Sequence, residues 1–311
     1  MKRFTRPLVL LFLLFACTAA TLQAALPKVG ILLKDRAAFW LAAEKAILAA
    51  AAKEPDFQFI IKAPPVTYSL HQQRLMLHAL MKEDLAVLII APLDGNLFET
   101  EIAALKEKGT KIVALDTNFT AIRADVFVGH NQEAMAREAG QVFAKLVGEG
   151  NSGGVLRPNV VGGMTLRERL FLSSFRAAAP SATLHLDVYA SDDDESQFHL
   201  ILEKHPDMRA VATLFTGTTQ VMSRVIQEKG VAGKIKHLGF GAGLPPDVVK
   251  AIASDAMHVW IAQLPTMIGR QSVEIAVGLA QGKTFPAKLD VPYVIVTKEN
   301  LESPEVKAHL D

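Results

Sequence analysis

Three polar residues stand where short apolar runs give way to turns. Asp116 closes KIVALD (111–116), Arg167 follows a glycine-rich segment, and Gln263 closes MHVWIAQ (257–263). A carboxylate accepts hydrogen bonds from hydroxyls, a guanidinium forks onto hydroxyls or a carboxylate, and an amide can do both. That set can hold a small polar solute. Each member also has a plainer reading: Asp116 as a turn cap, Arg167 as a solvated arginine like Arg169, and Gln263 as a satisfied turn residue. Thr165 and Glu168 form a Thr-Leu-Arg-Glu capping box, which places Arg167 in the first turn of a helix. Phe39 and Trp40 follow the first apolar run, where an aromatic face can stack on the apolar side of a sugar ring or simply pack in the core.

Catalytic constellations are missing from the sequence. A dinucleotide site needs G-x-G-x-x-G after the first strand, and here that turn is Lys34-Asp35-Arg36-Ala37-Ala38. There is no Walker A lysine loop, no G-x-S-x-G and no H-E-x-x-H. His71 and His78 lie two turns apart on one predicted helix, too far for a shared metal. The run Asp192-Asp193-Asp194-Glu195 lacks calcium-loop spacing and fits the first turn of a helix, where carboxylates oppose the dipole. Asn118-Phe119-Thr120 matches a glycosylation sequon, a pattern with many false positives. Neither an enzyme, a metal nor a cofactor is expected.

The elements that would position these residues alternate regularly. KVGILL (28–33), FQFIIKA (57–63), LAVLIIAP (85–92), KIVALD and VFVG (126–129) read as strands. Helices are predicted over 37–53, 70–82, 97–108 and 131–148. The pattern then restarts: a strand within 153–163, which has a glycine exit, and strands over 183–189, 210–215, 234–240 and 257–263 alternate with helices over 166–178, 195–204, 218–229, 246–254 and 265–281. DVPYVIV (290–296) is predicted as one final strand. Strand and helix in this alternation give right-handed βαβ units and parallel sheets, and ligands then sit beyond the carboxyl ends of the strands. Two successive arrays imply two doubly wound α/β domains with a cleft between them.

Met1 to Ala24 carries early basic residues, an apolar run over 8–17 and small residues before Leu22-Gln23-Ala24, the layout of a secretory signal. Leu14-Phe15-Ala16-Cys17 can also be read as a lipoprotein site leaving an acylated Cys17, but Phe15 is bulkier than usual there. A periplasmic protein is therefore expected. Cys17 is the only cysteine, so the chain beyond the leader has no disulfide. Half of the residues are apolar and the formal net charge is +1, which gives no electrostatic case for nucleic acid. About 290 residues follow the leader, more than one core usually accommodates.

The aromatic pair after the first strand, LDT (115–117), VGHNQEAMAREAG (128–140), TLRERLFLSSF (165–175), GFGAG (239–243) and WIAQLPTMIGRQSVE (260–274) together resemble the ribose-type periplasmic binding proteins, relatives of the lac repressor core. The resemblance implies two doubly wound parallel-sheet lobes joined by a three-strand hinge. Crossings fall near His130, Gln263 and Pro292, with lobes of 26–129 plus 264–291 and 130–263 plus 292–311. It carries the ligand contacts onto Phe39, Trp40, Asp116, Arg167, Phe215, Phe240 and Gln263, and draws Lys34, Asp35 and Thr117 into the same pocket. Lys34 also resembles the strand-end lysine of autoinducer-2 binding proteins.

This sequence departs from that pattern. Gly241 stands where an aspartate is usual, Phe215 where an asparagine is common, Ala37 and Ala38 where asparagines precede the aromatic pair, and Thr117 where an arginine often follows the aspartate. Each buried hydroxyl left without a partner costs about 1 to 3 kcal/mol, so ribose itself is not the expected ligand. The implied function is capture of a small sugar-like or polyol solute for an ABC importer by a monomeric protein. The alternative is a sensor of the same fold that reports to a membrane histidine kinase or chemoreceptor. A cytoplasmic repressor would need a helix-turn-helix where the apolar leader stands.

Overall fold

The computed structural model describes residues 25–66, 69–158, 165–189, 195–304 and 306–307. The leader with Cys17, the acidic run 192–194 and the glycine exit 159–164 lie outside them. In chain order the elements are β1 (Lys28–Leu32), α1 (Ala38–Ala51), β2 (Gln58–Lys62), α2 (Leu70–Leu80), β3 (Leu85–Ile90), α3 (Glu99–Glu107), β4 (Lys111–Leu115) and β5 (Val126–His130). The second series is α4 (Gln132–Val147), β6 (Ser152–Pro158), α5 (Leu166–Ala178), β7 (Thr183–Tyr189), α6 (Ser196–Lys204), β8 (Ala210–Thr213), α7 (Thr216–Glu228), β9 (Lys236–Ala242), α8 (Pro246–Ala253) and β10 (Val259–Gln263). α9 (Pro265–Ala280), β11 (Lys288–Val291) and β12 (Val294–Val296) complete it.

Two six-stranded sheets result, ordered β11-β5-β4-β3-β1-β2 and β12-β10-β9-β8-β6-β7. The first is parallel throughout; in the second only β12 runs antiparallel, beside β10. Both follow one doubly wound order, so the second series repeats the architecture of the first. Central strands such as β3 and β4 are buried almost end to end, as expected for parallel strands covered on both faces. Each sheet accordingly separates two apolar clusters. Among the described residues, no helix is long and apolar enough to cross a membrane.

The helices exchange sheets. α4 follows β5 of the first sheet but packs on α5 and the second sheet, while α9 follows β10 of the second sheet and packs on α1 and the first. Asn131 caps α4 by accepting from the Ala134 N–H at 3.1 Å, and Pro265 opens α9 at a position needing no donor. The run 290–296 is not one strand. Lys288–Val291 joins the first sheet beside β5 and Val294–Val296 joins the second beside β10. Pro292, which lacks a ladder donor, lies between them, so the chain passes from one sheet to the other three times.

Candidate functional site

The first sheet contributes Lys34, two residues beyond β1, with Asp116 and Thr117 immediately beyond β4. Lys34 Nζ donates to Asp116 Oδ2 at 2.8 Å and to Thr117 Oγ1 at 2.6 Å. Only 14% of the Lys34 side chain and 16% of that of Asp116 is exposed, so the pair is largely withdrawn from water. Burial alone would raise the Asp116 pKa; the charge and hydrogen bond of Lys34, helped by His130 and Arg167, hold it below the ordinary carboxylate value. Asp116 has φ 57°, in the left-handed region, and its N–H donates to the Val128 carbonyl at 3.0 Å. Gly129 lies against this turn: a Cβ there would come within 3.2 Å of Asp116 Cα.

The second sheet answers with Arg167. The Thr165 cap forms as expected, its hydroxyl accepting from the Glu168 N–H at 3.2 Å. The buried Glu168 carboxylate is also ion-paired with Arg157 of β6. Burial pushes that carboxyl upward and Arg157 opposes the shift. From the first turn of α5, Arg167 Nη1 donates to the Leu214 carbonyl at 2.8 Å. Nη2 donates to Gln132 Oε1 at 3.1 Å and to Gln263 Oε1 at 3.4 Å. The guanidinium lies 5.6 Å from the Phe215 ring centre and 5.1 Å from that of Phe240, within cation–π range.

Gln132, the first residue of α4, closes the chain of contacts: its Nε2 lies 3.5 Å from Asp116 Oδ1, a long bond. A continuous polar path therefore runs Lys34–Asp116–Gln132–Arg167–Gln263 from one sheet to the other. Beside it, His130 at the end of β5 accepts the Leu264 N–H on Nε2 at 2.9 Å, tying the first crossing to the second. That bond places the neutral imidazole's proton on Nδ1, which is buried without a partner among the described residues. Burial pulls the His130 pKa down to about 4, with Asp116 resisting and Arg167 adding to the shift.

Beneath Phe215 and Phe240 lies a buried polar cluster. Thr219 Oγ1 is 2.8 Å from the Phe215 carbonyl oxygen, accepts the Phe240 N–H at 3.2 Å, and lies 2.9 Å from Thr213 Oγ1. Thr213 Oγ1 in turn meets His237 Nε2 at 2.8 Å, and Ser223 Oγ meets His237 Nδ1 at 3.3 Å.

Of the residues singled out in the sequence, Lys34, Asp116, Thr117, Arg167 and Gln263 come together, with Phe215 and Phe240 flanking Arg167. Phe240 has no exposed surface, so it reaches the site only through Arg167. Trp40 belongs to the core, with Lys34 Nζ 5.5 Å from its ring centre; Phe39 is half-buried and meets Trp40 edge-on at 4.9 Å. Asp35 does not join the path: its carboxylate serves its own turn, accepting the Ala37 N–H at 2.8 Å. Sequence reasoning missed Gln132 and used His130 only as a crossing. The run VGHNQ (128–132) held the signal, since all five residues shape or tie the site.

Two lobes of one doubly wound topology, with strand-end polar groups from both meeting between them, define a two-lobed binding protein of the type 1 periplasmic fold. The chain belongs to the periplasmic binding protein family, whose domain model matches residues 29–284. It is 26% identical over 220 residues to the ribose import binding protein RbsB of Salmonella typhimurium, covering 68% of this chain and 72% of that protein. The fold matches a carbohydrate transporter solute binding protein from Agrobacterium radiobacter, in complex with D-arabinose. Its TM-score is 0.79 at 17% identity, covering 93% of this chain and all of the other. An ABC transporter solute binding protein from Agrobacterium vitis, bound with alpha-D-tagatopyranose, gives 0.77 at 22% identity, covering 91% and 99%.

Proposed function

We propose that this chain is an exported solute-binding protein that takes a small sugar-like or polyol solute between its lobes and presents it to an ABC importer. The observation that carries this reading is the polar path from Lys34 and Asp116 to Arg167 and Gln263. It spans both sheets at the carboxyl ends of their strands, where α/β proteins bind ligands. The sugar-binding names of its relatives support the same class of ligand.

In this reading the lobes are 26–129 plus 264–291 and 130–263 plus 292–311, and the three crossings are the hinge. Ligand bonded from both sides stabilises the closed state through contacts the open state lacks. The experiment is a calorimetric screen of the chain without its leader against pentoses, hexoses, their acids, polyols and furanosyl compounds. Binding of one class with micromolar or tighter affinity is expected. Absence of binding across the panel removes the proposal.

A further inference from the structure

We propose that the solute is a sugar acid, a monosaccharide bearing a carboxylate such as an aldonate or a uronate. Lys34, Gln132 and Arg167 would recognise its acceptor oxygens. This rests on reading the polar path as a solute pocket.

Every hydroxyl of a neutral sugar is both donor and acceptor, so burying it requires acceptors in the site as well as donors. Here each side-chain acceptor of the path already takes a bond from within it, and two cations, Lys34 and Arg167, face one carboxylate. Asp116 is that carboxylate: its Oδ2 accepts from Lys34, and its Oδ1 has only the long 3.5 Å contact from Gln132. The Gln132 and Gln263 carbonyl oxygens both accept from Arg167. Asp35 is turned to its own backbone.

Among the described residues, the aromatic walls of the site offer no replacement. Trp40, Phe215 and Phe240 have no acceptor oxygen in their side chains. At Gly241 a Cβ would stand 2.1 Å from the Trp260 ring, which is anchored by its Nε1 bond to the Gly243 carbonyl at 2.7 Å. A carboxylate at 241 would therefore displace a fully buried indole. Donor capacity remains as well: Lys34 has three ammonium hydrogens for two partners, and the Gln132 amide is held to Asp116 only by a 3.5 Å contact that a better acceptor can replace. An acceptor-only carboxylate, in charge-assisted bonds to an ammonium and a guanidinium, matches this inventory.

The test is isothermal titration of the chain without its leader against D-gluconate and D-galacturonate, and against D-glucose, D-galactose and D-ribose. At least one acid should bind tenfold or more tightly than every neutral sugar. In Lys34→Met, which removes a donor and releases Asp116 Oδ2, the acid should weaken at least tenfold and the neutral sugars much less, closing the gap; circular dichroism confirms folding. Should that variant not fold, Gln132→Leu is read in its place, with the same narrowing expected. Neutral sugars binding as tightly as the acids, or a gap untouched by the readable variant, would overturn the inference while leaving solute binding intact. No binding by either class ends both.

Discussion

The two lobes share a strand order but build their halves of the polar path by different means. The first uses charge at a strained turn: Lys34 neutralises Asp116, whose left-handed backbone is held by Val128 and abutted by Gly129. The second uses packing over a buried hydrogen-bond cluster: Arg167 lies against Phe215 and Phe240, which Thr219 joins to Thr213 and His237. The lesson is that topology fixes where ligand groups stand, while local chemistry fixes how rigidly. An ion pair on a turn can be exchanged for ligand bonds, but a guanidinium against rings on a buried network stays where it is.

Acid should strain both halves, and this is the largest effect expected. Unfolded histidine takes up a proton near pH 6.5, whereas folded His130 resists until about pH 4 and His237 until about pH 3. The unfolded chain therefore binds more protons in that window. Stability should fall as pH drops below about 6.5, by on the order of 3 kcal/mol for His130 alone, and level off below the folded values. Thermal melts from pH 7 to 4 check this, and His130→Gln should flatten part of the slope. A melting temperature independent of pH over that range would contradict the buried neutral imidazoles.

Two glycines separate the halves more sharply. At Gly239 a Cβ would lie 2.0 Å from Thr219 Cγ2, inside the buried cluster, so Gly239→Ala should cost about 1 to 3 kcal/mol of stability. Gly129→Ala meets the buried Phe127 ring at 2.7 Å and presses on the Asp116 turn at 3.2 Å, so it should lower affinity as well as melting temperature, whereas Gly239→Ala should act mainly on melting temperature. Calorimetry and solute titration on both variants would show whether the contrast is real; equal patterns would dissolve it.

Arg167→Ala should weaken the tightest solute of the panel at least tenfold, about 1.4 kcal/mol. Arg167→Lys should recover little, because an ammonium lacks the planar fork that reaches Leu214, Gln132 and Gln263 together. Titration of the two variants measures this. The smallest effect is expected at the third crossing, where Tyr293 donates to Glu138 of α4. Tyr293→Phe should shift stability by less than about 1 kcal/mol in melts, as the bond is at the surface.

Much of the fold could be read from the chain because parallel strands buried on both faces are written as short aliphatic runs. The predicted helix over 166–178 and strand over 183–189 match the structure; apart from 153–163, whose end lies outside the described residues, and the divided run 290–296, other boundaries move by at most two residues, as with α7 starting at Thr216 rather than 218. Asp116, Arg167 and Gln263 were legible as strand-end or helix-start polar groups. Gln132 was not, since a glutamine in the first turn of a helix carries no mark of what faces it. Nor was the true place of Phe240, whose apolar surroundings come from α4, α5, β8 and β10 as well as from its own strand.

By itself the sequence determined the alternation of strand and helix and which residues end the strands, because these depend on local pattern and residue type. Only tertiary structure decided that 290–296 divides between two sheets, that Glu168 pairs with Arg157, and that Asp116 is paired with Lys34. Those outcomes depend on which groups from distant segments meet in a space largely withdrawn from water, where each polar atom must find a partner.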